Sequence, residues 1–212
     1  MSRVVDKRAG TVFWFSLIAF ACFSAVAAAQ QTEFERDATR LATALNLRAG
    51  HSVADIGAGE GELAIALADA VGPNGSVYAT EIGEDRLKTL RTAVATSERS
   101  NITVVEAHAI QTNLPPACCD ALIMRLVYHH FRDPATMNRS LFASVKPGGV
   151  VAVLDFPSEN GKTAAPSARA ENGNHGVDAA TVVEELTAAG FERVLVDAES
   201  KPRYLVVMRR PM

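Results

Sequence analysis

Apolar positions along this chain alternate between two periods. From Gln31 to Leu47 they recur at Phe34, Ala38, Leu41 and Leu45, one face of a helix, with Glu33, Glu35, Arg36 and Arg40 left for solvent. A short apolar run, Ser52 to Ile56, then leads into glycines and reads as a strand. Glu60 to Val71 returns to helical spacing and stops at Gly72-Pro73-Asn74-Gly75. The alternation continues with strand Ser76 to Thr80, helix Glu84 to Thr96, strands Ile102 to Glu106 and Ala121 to Leu126, helix Pro134 to Val145 and strand Val150 to Asp155. Lys146-Pro147-Gly148-Gly149 is expected to end the fourth helix as a turn, because proline cannot continue a helix. A helix from Asp178 to Ala189 and two β-rich runs, Val194 to Val196 and Tyr204 to Met208, complete the pattern. The two runs are close enough to form an antiparallel pair. Strands separated by helices predict an α/β fold, a doubly wound and mostly parallel sheet with helices on both faces.

Residues 157 to 176 carry Gly, Asn, Ser, Ala and charge with little to bury, which predicts a long loop within one domain. With 48% hydrophobic and 21% charged residues, the 212-residue chain supports one core. Its beginning differs from the rest. Arg3, Lys7 and Arg8 precede an apolar run from Thr11 to Ala29 that ends in Ala25-Val26-Ala27-Ala28-Ala29, the order of a signal peptide with small residues at its cleavage site. Residues 1–29 are therefore expected to export the chain, to the periplasm or outside the cell, or to anchor it in a membrane if they are not cleaved. Residues 30–212 form the functional domain. Removing residues 1–29 leaves 18 basic against 23 acidic residues, which argues against nucleic acid as a partner. Cys118 and Cys119 are adjacent, a spacing that rarely suits an ordinary disulfide, and they read as two small residues in a turn. They are too few for a thiolate metal site, and no metal is expected.

Candidate chemistry concentrates in Asp55-Ile56-Gly57-Ala58-Gly59-Glu60-Gly61, between a strand and a helix, where glycines let backbone N–H groups approach a ligand. Glycine loops alone are unspecific. The spacing here is Gly-x-Gly-x-Gly, and Glu62 stands where a pyrophosphate-binding loop has its third glycine. Asp55 at the strand end favours a ligand with an ammonium group and repels a diphosphate. Glu81, ending the next strand about 20 residues after the last glycine, is placed to accept hydrogen bonds from two ribose hydroxyls. S-adenosylmethionine combines that amine with a nucleoside and has no phosphate.

These residues resemble the class I S-adenosylmethionine-dependent methyltransferases, in particular the small-molecule branch similar to the quinone-biosynthesis enzymes. The likeness runs from Leu41 to Met208, with Val53–Gly61, Tyr78–Ile82, Asp120–Phe131 and Lys146–Asp155 as landmarks. It implies a Rossmann-like seven-stranded sheet with an antiparallel last strand, and S-adenosylmethionine as cofactor. By resemblance, Asp55, Gly57, Gly59 and Gly61 hold the amino-acid end, Glu81 the ribose, and Ile82 one face of the adenine. His108, with Ala109 beside it, stands at the adenine amino group, where many relatives carry an Asp.

The acceptor is expected beyond the fourth strand, where Val127-Tyr128-His129-His130-Phe131 emerges at the carboxyl edge. His129 and His130 are candidate general bases and Tyr128 a further candidate catalytic residue or else a pocket wall, with Asp155 and His175-Gly176 converging on the same edge. The expected activity is methyl transfer to a small molecule. Two other readings stay open: an exported S-adenosylmethionine-binding protein without catalysis, and an NAD-dependent oxidoreductase.

Overall fold

The structure, a computed structural model, describes residues 33–159, 161–169, 175–199 and 202–212. The predicted signal segment lies outside these residues, as does part of the 157–176 loop. The chain divides into two compact units, Met1–Thr39 and Arg40–Met212. Residues 33–45 are helical (α1). In the second unit, Leu41 and Leu45 are buried as their spacing predicts. Arg40 is not left to solvent. It is half-buried and donates to the Arg203 carbonyl at 2.9 Å and to the Asp197 carboxylate.

Seven strands form one sheet: β1 Ser52–Ile56, β2 Ser76–Glu81, β3 Ile102–Glu106, β4 Cys119–Arg125, β5 Val145–Asp155, β6 Glu192–Asp197 and β7 Tyr204–Arg209. Their spatial order is β3-β2-β1-β4-β5-β7-β6, parallel except for β7, which runs antiparallel to both β5 and β6. The remaining helices are α2 Glu62–Val71, α3 Glu84–Thr96, α4 Pro134–Ser144 and α5 Ala179–Ala188. Right-handed crossovers carry α2 and α3 to one face, and α4 and α5 to the other, because the chain steps outward from β1 in one direction and from β4 in the opposite one. The predicted doubly wound sheet is therefore observed.

Composition explains why β4 and β5 are central. Ala121-Leu122-Ile123-Met124 and Val151-Ala152-Val153-Leu154 are continuous apolar runs, and each of these side chains is 2% exposed or less, as expected of parallel strands covered on both faces. The strand order reverses between β1 and β4. Open α/β sheets place their ligand crevice at such a switch point, outside the carboxyl ends of the strands.

Three boundaries depart from the sequence pattern. Helix α2 begins at Glu62 and not at Glu60, because Gly61 takes φ 87° and cannot belong to a helix. The Lys146–Gly149 turn is absorbed into β5: Gly148 N–H donates to Arg210 O and Gly149 O accepts from Arg210 N–H, so the end of the chain ladders what reads locally as a turn. Cys118 and Cys119 are joined in a vicinal disulfide, contrary to the reading of two unlinked residues. They directly follow Ala117, which bends the chain at φ 47° into β4.

Candidate active site

Two structures face each other across the switch point. On the β1 side, Gly57 and Gly59 take φ 72° and 56°, and they do so for different reasons. A Cβ on Gly57 would lie 2.5 Å from Cγ2 of Val127, so this glycine lets the loop press against the segment after β4. A Cβ on Gly59 would meet nothing within 4 Å. That side of the loop is open.

The loop amides do not project freely, as the glycines alone suggest. Ala58 N–H donates to Thr80 O at 2.8 Å, Gly57 N–H to Thr80 Oγ1 at 3.3 Å and Gly59 N–H to Glu81 Oε2 at 2.8 Å. The loop is thus tied to the end of β2. Glu81 is buried and also accepts from Ile82 N–H at 2.8 Å through Oε1. Each carboxylate oxygen keeps a second lone pair for a further donor.

Asp55 is 2% exposed and its Oδ2 has no hydrogen-bond partner. Its carboxyl is pushed up to about 7, first by burial and then by the Glu81 charge, while Arg125 and the Ala64 N–H at the start of α2 oppose the rise. A buried carboxylate oxygen without a donor is destabilising. An ammonium group supplied by a ligand would complete it. At the carboxyl ends of β2 and β3, Ile82 and Ile110 are 45% and 46% exposed, large apolar side chains that a flat ring would cover. His108 and Ala109 are exposed nearby, with His108 N–H bonded to Gln111 O at 2.8 Å. Ile110 was not singled out from the sequence. Its signal is an isolated large apolar residue in an otherwise polar loop.

On the β4 side, the strand ends with Leu126 at φ 59°, a strained value for a non-glycine residue. A one-turn 3-10 helix, Tyr128–His130, follows. His129 is 2% exposed, its Nδ1 lies 2.9 Å from Asp155 Oδ1, and its N–H donates to Asp155 Oδ2 at 3.2 Å. Because a carboxylate only accepts, Nδ1 carries the proton and Nε2 is left as the basic nitrogen.

Around the His129 ring stand His130 at 4.0 Å between centroids, Phe156 at 4.7 Å and His175 at 4.7 Å. His130 is exposed, and partial burial together with His129 beside it pushes its imidazolium below the usual range, with Asp155 opposing. Tyr128 does not line the cleft. It is 0% exposed and its hydroxyl is bonded to Glu185 and Asn138 away from the cleft, which removes it both as a catalytic residue and as a pocket wall. Phe156 was missed, although it directly follows Asp155.

Residues 53–149 match the model of a methyltransferase domain family. This stretch is a methyltransferase domain, and it resembles the class I S-adenosylmethionine-dependent enzymes. The chain is 29% identical over 111 residues to the demethylmenaquinone methyltransferase of Geobacillus kaustophilus, covering 52% of this chain and 47% of that one. It spans about half the length of the curated relatives it matches. Among solved structures, the chain is similar to a SAM-dependent methyltransferase from Aquifex aeolicus, with TM-score 0.70 and 23% identity over 82% of this chain and 89% of that one. It is also similar to the [4+2]-cyclase SpnF, with TM-score 0.72 and 17% identity over 84% and 81% of the two chains. These two likenesses concern the fold.

Proposed function

We propose that this protein transfers the methyl group of S-adenosylmethionine to a small molecule that loses a proton from a hydroxyl or an acidic carbon as it reacts. The observation that carries this reading is the buried His129–Asp155 pair, standing two residues from Val127, which packs against the glycine loop. The residues lining the crevice fit the cofactor. Asp55 has a buried oxygen in need of a donor, Gly59 leaves the loop open, Glu81 keeps acceptor capacity, and Ile82 with Ile110 offers apolar cover. When bound, S-adenosylmethionine supplies an electrophilic methyl group on a sulfonium.

The chain's own residues then have three tasks. Asp55 and Glu81 orient the bound group through their carboxylates. His129 accepts the acceptor's proton at Nε2, and Asp155 holds the ring in the tautomer that leaves this nitrogen basic. His130 and Phe156 flank the ring. A general base of this kind contributes roughly 10²- to 10⁴-fold in rate. The fold alone does not dictate methyl transfer, since the neighbour named as a cyclase shares it. Similarity to a demethylmenaquinone methyltransferase supports a hydroxylated aromatic ring as the first acceptor class to assay.

The test is calorimetric titration with S-adenosylmethionine, followed by assay of hydroxylated aromatic acceptors. Binding and methylated product are expected. Binding without turnover across the panel would favour a non-catalytic binding protein, and NAD binding in place of S-adenosylmethionine would overturn the assignment. Residues 1–29 support export of the mature chain, and mass spectrometry of the N-terminus in fractionated cells, starting near Gln30 if cleavage occurs, checks it. No helix among the described residues is long and apolar enough to cross a membrane.

A further inference from the structure

Behind His129 lies a buried polar chain with no part in binding the cofactor. The Tyr128 hydroxyl donates to Glu185 Oε2 at 3.0 Å and accepts from Asn138 Nδ2 at 2.8 Å. Glu185, on α5, is held by both guanidinium nitrogens of Arg169, one at 3.0 Å to Oε2 and the other to Oε1. Arg169 comes from the segment after β5, its side chain is 3% exposed, and its Nε donates to Ala164 O at 3.1 Å. Burying the arginine in this way is expensive unless geometry and further hydrogen bonds satisfy it, and the half-buried Glu185 with Ala164 O meets both conditions.

We infer that Arg169, Glu185 and Tyr128 are positioning residues that fix the orientation of His129. The inference rests on the proposed role of His129 as proton acceptor. In a 3-10 turn, successive side chains diverge by about 120°. Tyr128 therefore points into the α4–α5 layer while His129 points to Asp155 on β5. The turn is pinned from opposite sides, by the phenol on one residue and by the imidazole and N–H on the next. Loss of either pin frees rotation of the short segment, and Asp155 alone cannot restore it. The same chain places the segment after β5 under the control of this turn, since Arg169 is its far end. That link explains why a charged residue of an otherwise polar loop is sealed inside the protein.

The test uses full-length protein labelled with 15N-histidine, with His129 assigned by its loss in His129→Asn. In the unaltered protein the neutral form of His129 is expected as a single Nδ1–H tautomer. Tyr128→Phe keeps the ring and removes the hydroxyl, and is expected to give a mixture of tautomers or a broadened His129 signal, with S-adenosylmethionine affinity unchanged. Arg169→Met is expected to act in the same direction. If Tyr128→Phe fails to fold, Glu185→Gln carries the test, because it keeps the side-chain shape and weakens the pairing with Arg169. An unchanged His129 signature in the folded variants overturns the inference, even where their melting temperatures fall. Failure of the unaltered protein to bind S-adenosylmethionine would instead strike the functional reading, which the histidine signals do not depend on.

Discussion

The β1–β2 edge and the β4–β5 edge of this sheet face one crevice but are built differently. In the first, Asp55, the glycine loop and Glu81 lie within 27 consecutive residues, and hydrogen bonds from the loop's backbone N–H groups lock them to the end of β2. The second is held by side chains, with His129 meeting Asp155 across a similar 26 residues and Tyr128 meeting Glu185 across 57. Cofactor recognition is thereby carried by the backbone-determined side. Proton transfer depends on side-chain pairs. The two sides should fail separately when mutated.

The largest separation is expected at His129. His129→Asn should lower kcat by roughly 10²- to 10⁴-fold on whichever acceptor is methylated, with S-adenosylmethionine affinity retained; single-turnover assay with calorimetry checks both halves. A parallel loss of cofactor affinity would mean the two edges are not independent.

Asp55 is the corresponding residue on the other side, and its effect on stability has a definite sign. Its folded value of about 7 lies above its ordinary 3.8, so the folded chain without ligand binds more protons in between. Stability is greatest below about pH 4 and falls as pH rises through 7, by at most roughly 4 kcal/mol from this group. Asp55→Asn should flatten that part of the melting profile between pH 4 and 7 and weaken S-adenosylmethionine binding by about 1.5–3 kcal/mol. In the unaltered protein, affinity should rise with pH up to about 7, because the ammonium needs the carboxylate. A flat affinity profile would count against Asp55 as its partner.

Smaller effects should distinguish the two glycines. Gly57→Ala forces a methyl into Val127 and is expected to destabilise the fold by about 1–3 kcal/mol, seen in chemical denaturation. Gly59→Ala meets no atom, so beyond its backbone strain it should act mainly on ligand affinity. Equal stability losses would contradict the separate roles assigned to them.

The same contrast explains what the sequence made legible. Periodicity located the seven strands and five α-helices among the described residues, because apolar runs such as Val150–Leu154 are locally determined. Asp55, the glycines and Glu81 were readable for the same reason, their spacing being short and their chemistry narrow. Lys146–Gly149 was misread because its pairing partner is Arg210, about 60 residues further along the chain. Tyr128 was misplaced because nothing local shows that its hydroxyl meets α5. Arg169 carried no signal at all, since a charge in a polar loop is unremarkable until its partner Glu185 on α5 is known. His129 and His130 were indistinguishable in sequence, and the contact with Asp155 separates them.

Calorimetry on the full-length protein, titrated in parallel with S-adenosylmethionine and NAD, and repeated with His129→Asn, tests the central claim most directly. The account predicts binding of S-adenosylmethionine by both proteins and of NAD by neither. Binding of NAD, or no binding of S-adenosylmethionine by the unaltered protein, would contradict it.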